Sequence, residues 1–183
     1  MTENNFVGCL SQLCGGDMQG LRQIYEEYCP MIYSSVLQIS KSPHLAEDIT
    51  SEFFLRLKKA AAVYRKGLGH KKWLLISARN LAVDFIRRQS REIPSSSGEQ
   101  EEDAFSDIAD SADTEEKVSS DISVRQMLEA LNDNQREIVH LKIYCGLTFS
   151  EISDVMQIPL GTVTWRYQSA VKKLRKLYGE VSE

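Results

Sequence analysis

The tract IPSSSGEQEEDAFSDIADSADTEEK, residues 93–117, sets the tightest limit on what this chain can fold into. It carries nine Asp or Glu against one Lys, and its only large apolar residues are Ile93, Phe105 and Ile108. So little apolar surface cannot offset the entropy lost when a segment of this length is ordered. The expectation is a flexible acidic linker over 93–118 between an N-terminal module, 1–92, and a C-terminal module, 119–183. The same tract hides the charge of its neighbours. The chain is acidic overall, net −4, yet residues 1–92 hold 13 Lys/Arg against 9 Asp/Glu, and residues 121–183 hold 8 of each.

Both modules have helical periodicity and neither sustains the period-two alternation of strands. In the first, Asp17 can cap a helix running to about Ser40, with Leu21, Ile24, Tyr25, Tyr28 and Ile32 on one side. Pro30 falls inside it and is expected to kink or interrupt it. Ser42-Pro43 is a cap followed by proline at the first helical position, opening a helix with Leu45, Ile49 and Phe53 that continues toward Ala62. RKGLGHKK, 65–72, supplies two glycines and a loop, and KKWLLISARNLAVDFIRRQSR, 71–91, forms the next helix. In the second module Ile122–Leu131 is expected as one helix. Asn134–Glu137 has capping-box form for another that ends near Gly146, a short helix covers Phe149–Met156, and a last one covers Thr162–Tyr178. A short helix, a tight turn at QIPLG and a long basic helix make the outline of a helix-turn-helix. The fold class is all-α: two small helical domains joined by the acidic linker, the C-terminal one a helix-turn-helix.

Two basic helices carry the functional signal. On residues 71–91, Leu74, Leu75, Ala78, Leu81, Ala82, Phe85 and Ile86 fall in one arc and read as a core-facing stripe. Trp73, Asn80, Asp84 and Arg87 form a line on the other side, with Ser77 and Arg88 beside it. From Arg56 to Arg91 there are 11 Lys/Arg against one acid, so the loop cations Arg65, Lys66, Lys71 and Lys72 belong to the same surface. An aromatic, an amide and guanidiniums side by side suit single-stranded nucleic acid, where bases stack and cations follow the phosphates. A solvated helix face and a membrane-surface helix are the competing readings; an apolar face matched to a packed interior and the lack of a lipid-anchor motif disfavour the second. On the last helix Val163, Tyr167, Ala170, Leu174 and Leu177 form the expected buried stripe. Thr162, Trp165, Arg166, Ser169, Lys172, Lys173 and Lys176 project from the other side. Residues 162–178 carry five cations and no acid. In a recognition helix the first residues, here Thr162, Thr164, Trp165 and Arg166, meet base edges in the major groove, and trailing lysines meet phosphates. An amphipathic surface helix is the alternative, but a Trp on the polar face fits it poorly.

Other classes find little support. No apolar run is long enough to span a bilayer, and MTENNFVGCL lacks the order of a signal peptide, so no membrane insertion and a cytoplasmic location are expected. Cys9, Cys14, Cys29 and Cys145 show no metal-binding spacing and read as buried free thiols of a reducing compartment. Three isolated histidines, no glycine-rich phosphate loop and no nucleophile–base pair argue against an enzyme, and neither a cofactor nor a metal is expected.

HLAEDITSEFFLRL, WLLISARNLAVDFIRR and LNDNQREIVHLKIYCGLTFSEISDVMQIPLGTVTWRYQSAVKKLRKL together resemble the two characteristic regions of a bacterial extracytoplasmic-function (ECF) sigma factor, in order, spacing and length. The resemblance covers most of the chain outside the termini and the acidic tract. It implies a protein that binds core RNA polymerase and directs it to particular promoters. The segment with Ala46, Glu47, Asp48, Ile49, Ser51, Glu52, Phe53 and Leu55 would dock on polymerase. The loop 65–72 and the helix from Trp73 would open the −10 element and hold its unpaired strand. Thr162, Arg166, Lys172 and Lys173 match positions of the −35 reader, on double-stranded DNA. The acidic tract would thread through polymerase toward the RNA exit path. The implied partners are core polymerase, promoter DNA and an anti-sigma factor, with a monomer as the free state. The chain departs from the pattern at Ser51, where glutamine is common, at Thr164-Trp165, where a polar or basic pair is usual, at Ser169, where a basic residue is usual, and at Asn132-Asp133, where Leu-Pro is common. These leave the fold in place but make the −35 sequence its own.

Overall fold

A computed structural model describes residues 1–67, 69–92 and 128–178, with the side chains of 90–92 and 178 left aside. The expected linker, and the expected helix from Ile122 except for its last turn, lie outside the described residues. The regular structure of the described residues is all helical, with no strand among them. They form α1 (Glu3–Cys14), α2 (Met18–Ser40), α3 (Pro43–Ala61), α4 (His70–Glu92), α5 (Asp133–Val139), a π-helical turn (His140–Tyr144), α6 (Phe149–Met156) and α7 (Leu160–Tyr178).

α2 is the axis of the first group. Asp17 accepts from the Gln19 N–H at 2.9 Å and caps it, and the helix buries Ile24, Tyr28, Met31, Ile32 and Val36 against α1, α3 and α4. It runs through Pro30 without a break. Pro30 and Glu26 both sit on the solvent side, where water can serve the carbonyl that the proline leaves unpaired. Tyr25, expected on the buried side, is exposed, because the stripe follows Ile24, Tyr28 and Ile32. Lys41 ends the helix in the left-handed conformation, φ 58°, and Ser42 with Pro43 starts α3 as expected.

α1 was not among the expected helices. Thr2 caps it, accepting from Asn5 N–H, and it buries Phe6, Cys9, Leu10 and Leu13 against α2. Gly16, at φ 91°, turns the chain into α2. The two helices then cross so closely at Gly20 that a β-carbon there would overlap the Cys9 carbonyl oxygen. Cys9 and Cys145 are buried thiols, but Cys14, at the end of α1, is exposed and so departs from the expected burial.

In the second group the capping box lies two residues earlier than expected. Asn132 accepts from Gln135 N–H at 2.9 Å and the Gln135 side chain accepts from Asn132 N–H at 3.3 Å, which starts α5 at Asp133 with an acid in the first turn. The Arg136 guanidinium holds the carbonyls of Leu128 and Leu131, tying the preceding turn to α5. α5 widens into the π turn, closed by Cys145 N–H to the His140 carbonyl at 3.2 Å, and Gly146 at φ 72° ends it. Thr148 and Glu151 form a second capping box for α6, Gln157 ends it in the left-handed conformation, and Pro159 leads into α7. Val163 and Ala170 are buried, whereas Leu177, placed by periodicity on the same stripe, is exposed near the helix end.

The two groups share one apolar core. Val36, Leu74 and Leu75 of the first belong to the same buried cluster as Ile138, Leu141, Val155 and Val163 of the second. Gly20→Ala is expected to force α1 and α2 apart and to cost about 1–3 kcal/mol, as overpacking does. Chemical denaturation measures it, and an unchanged midpoint with an unchanged slope would contradict the crossing.

Candidate nucleic-acid interface

α4 has the two faces its sequence predicts. Leu74, Leu75, Ala78 and Ala82 are buried, while Leu81, Phe85 and Ile86 are half-buried beside them. Asn80, Asp84, Arg87 and Arg88 are exposed, so four of the expected residues share an open surface. Trp73 stands apart from them. It is half-buried, edge-on to Tyr64 at 5.1 Å between ring centres and to Phe6 at 6.2 Å. Phe6 also meets Tyr64 and stacks on His70 at 5.2 Å. Trp73 is thus the rim of an aromatic wall, with part of its surface given to the core, and not a free stacking platform.

That wall fixes the loop before α4. Arg65 and Lys66 are exposed on it, and Gly67 takes φ 95°, a left-handed conformation suited to glycine. Glu3 of α1 reaches across to hold it, accepting from Gly67 N–H at 2.7 Å and from the Tyr64 hydroxyl at 2.9 Å. The Gly67 N–H and then the Tyr64 hydroxyl lower the Glu3 carboxyl below its ordinary range. Burial, and then its bond to Glu3, pushes the Tyr64 phenol up. Burial lowers His70, which is held among Phe6 and Tyr28. Glu3 went unnoticed in the sequence because the bond spans 64 positions. The Thr2 cap and the spacing of Phe6, Leu10 and Leu13 were the available signal. Lys71 is exposed, and Lys72 is half-buried, its ammonium 3.0 Å from Asp154 of α6.

On α7, Trp165 is 66% exposed, with Lys172 and Lys173 exposed further along. Thr162 and Arg166 are half-buried at the base of that face. Two expected residues are already engaged within the fold. The Thr164 hydroxyl donates to the Leu160 carbonyl at 3.0 Å, and Ser169 accepts from the Gln135 amide at 3.2 Å. The short α6 seats α7 through Phe149, edge-on to Tyr167 at 5.1 Å.

A third surface lies on α3. Glu47, Ser51 and Leu55 recur every four residues and are exposed, Leu55 at 74% despite being apolar. Asp48 sits beside them, 3.2 Å from His44, and Glu52 pairs with Arg56. Among the described residues no cluster of three His, Cys, Asp or Glu is arranged to hold a metal, and no helix is long and apolar enough to cross a membrane.

Comparison with known proteins agrees with this geometry. Residues 24–92 match the family model for Sigma-70 region 2, and residues 127–176 match that for Sigma-70, region 4. The ECF RNA polymerase sigma factor SigK of Mycobacterium ulcerans is 27% identical over 173 residues, covering 91% of this chain and 89% of the relative. SigK of Mycolicibacterium vanbaalenii is 28% identical over 174 residues, covering 93% and 87%. Among solved structures, the sigma factor RpoE in complex with the anti-sigma factor NepR from Bartonella quintana has a TM-score of 0.63 at 20% identity, covering 88% of this chain and 98% of that one. CnrH in complex with the cytosolic domain of CnrY gives 0.64 at 16%, covering 97% and 99%. These two share the fold. With region 2 on α2–α4 and region 4 on α5–α7, the chain belongs to the sigma-70 family, among its ECF sigma factors, and directs transcription initiation at specific promoters.

Proposed function

We propose that the three surfaces divide the work of initiation. The N-terminal unit, 1–92, binds core RNA polymerase through Glu47, Asp48, Ser51, Glu52 and Leu55 of α3. It meets the unpaired −10 strand with Arg65, Lys66 and Lys71 of the loop and Asn80, Asp84, Arg87 and Arg88 of α4, with Lys72 and the Trp73 rim beside them. The C-terminal unit, 119–183, reads double-stranded −35 DNA with Thr162, Trp165 and Arg166, and holds phosphates with Lys172 and Lys173. The segment 93–118 tethers the two. The observation that carries this reading is the presence, in one chain, of an exposed Asn–Asp–Arg–Arg face on α4 and a recognition helix with an exposed Trp165 and no acid.

Each surface is suited to its partner by a different physical term. Exposed guanidiniums gain affinity by releasing condensed counterions from phosphates, which is independent of sequence. Asn80 can pair with a base edge once the strand is open. Trp165 offers a large apolar contact at the groove, and Arg166 a bidentate one. Thr164 and Ser169 already hold one hydrogen bond each within the fold, so each brings a hydroxyl that is partly committed. The chain contributes recognition and melting, and polymerase contributes the chemistry, so the chain itself is not an enzyme and uses no cofactor. RpoE and CnrH were each solved with a protein partner, NepR and CnrY respectively. An anti-sigma factor is accordingly proposed for this chain too, in a cytoplasmic setting and with a monomeric free state.

Transcription in vitro with core polymerase and genomic fragments is expected to give promoter-dependent product, and the absence of any such product would overturn the reading. Arg87→Ala with Arg88→Ala removes two exposed cations without touching the core. Promoter melting, read by permanganate reactivity, is expected to fall more than closed-complex binding, and an unchanged footprint contradicts the assignment of α4. Trp165→Ala with Arg166→Ala is expected to relax −35 preference, at about 1–3 kcal/mol for a lost bidentate contact, while core binding is kept. Loss of core binding in that variant would assign these residues to folding instead.

A further inference from the structure

One ridge of α7 stands furthest from the core. Gly161, Trp165, Gln168 and Lys172 follow one another at steps of four, three and four residues, and all four are exposed. Val163 and Ala170, on the opposite side of the helix, are buried. A β-carbon at Gly161 would meet no atom within 4 Å, so the ridge is low where the helix starts and Trp165 is the first side chain to rise from it. The flanks are set lower: Thr162, Thr164, Arg166 and Ser169 are half-buried. Thr164 donates to the Leu160 carbonyl and Ser169 accepts from Gln135. Among the described residues no hydrogen bond or ring contact engages the Gln168 amide or the Trp165 indole. Gln168, which periodicity alone did not single out, is therefore the uncommitted hydrogen-bonding group beside the exposed tryptophan.

The chemistry of these two side chains is selective. A primary amide carries an acceptor and a donor side by side. Adenine presents the matching pair in the major groove, the N6 amine as donor and N7 as acceptor. Guanine presents two acceptors, O6 and N7, and would leave the amide carbonyl without a partner. An indole has a broad apolar surface, and the C5-methyl of thymine is the apolar group on the major-groove edge. Side chains three residues apart on a helix have β-carbons about 5–6 Å apart, and stacked bases are about 3.4 Å apart. Trp165 and Gln168 can thus reach the same base pair or adjoining ones.

We propose that Gln168 and Trp165 set the −35 sequence of this chain. Gln168 selects an adenine through N6 and N7, and Trp165 selects a thymine, on the same or the next base pair, through its C5-methyl. The assignment rests on α7 being the −35 reader and adds to it a residue and two bases. Lys172, one turn further along the ridge, meets phosphate and carries no base preference.

Holoenzyme assembled from core polymerase and the full chain is used to select duplexes from a pool randomised over the −35 element. Wild type is expected to retain an adenine and a thymine on one base pair or on neighbouring ones. Gln168→Ala should lower the preference for adenine roughly tenfold to a hundredfold and keep that for thymine. Gln168→Glu has acceptors only and suits the cytosine N4 amine, so the preferred base should change from adenine to cytosine, which loss of a merely structural residue would not produce. Both variants place a good helix former at an exposed position, so the fold is kept. Deoxyuridine in place of the selected thymine removes the methyl alone. It should weaken wild-type binding about fourfold and leave Trp165→Ala indifferent. Unchanged base preferences in Gln168→Ala, adenine retained by Gln168→Glu, or a Trp165→Ala chain that still tells thymine from deoxyuridine overturns the corresponding assignment while the −35 reading stands. A wild-type holoenzyme that selects no −35 sequence overturns both.

Discussion

Burial of α2 on several sides is the constraint from which the rest of the structure follows. Ile24, Ile32 and Val36 have no exposed surface, and Tyr28 has almost none, its phenol pushed up to about 12 first by that burial. Burying an aromatic and several branched side chains at once requires walls around the helix, and α1, α3 and α4 supply three of them. The turns are built to suit. Gly16 and Gly20 let α1 fold back at close range, and Ser42-Pro43 restarts the chain immediately after Lys41. α4 packs on α2 and α3 through its apolar face, and Asn80, Asp84, Arg87 and Arg88 are left on the outward one.

The same packing explains why a loop can be part of a binding surface. Residues 62–67 lack regular structure of their own, and a loop ordered by nothing would lose much of its affinity to ordering entropy. Here α1 carries Phe6 into the aromatic wall and Glu3 onto Gly67 and Tyr64, so Arg65 and Lys66 project from a braced backbone. α1 thereby braces the loop residues proposed to meet DNA.

Local signals in the sequence were legible because local physics decides them. The caps at Asp17 and Ser42, the apolar arc of α4 and the short helix–turn–basic helix of α6 and α7 all depend on neighbours within a turn or two. What was misplaced depends on distant partners. Trp73 shares its line with Asn80 and Arg87, but Tyr64 and Phe6 draw it toward the core. Ser169 projects from the polar side of α7, yet Gln135, 34 residues away, takes its hydroxyl. The capping box moved from Asn134 to Asn132 because Gln135 can close the pair as well as a glutamate does. The π turn gave no pattern at all, since one wider turn shifts side chains by less than a heptad reading resolves. Arg79 meets Glu137 across 58 positions, a pairing invisible to periodicity, which tells which face is polar and not what lies opposite.

That last pairing bears on how the two groups are joined. Surface ion pairs alone, each worth roughly 0–1 kcal/mol, would hold them weakly and would fade with salt. The seam combines a modest apolar contact around Leu75 and Leu141 with three charge pairs, Lys41–Asp133, Lys72–Asp154 and Arg79–Glu137, and one histidine, His140. The apolar part is indifferent to sequence register, whereas the pairs admit one alignment, so specificity comes from charges that contribute little net stability. The acids that give this alignment sit on α5 and α6, away from the recognition face of α7, which keeps its cations without a counter-charge of its own. Within this seam burial of His140 favours its neutral form, holding the imidazole down to about 4.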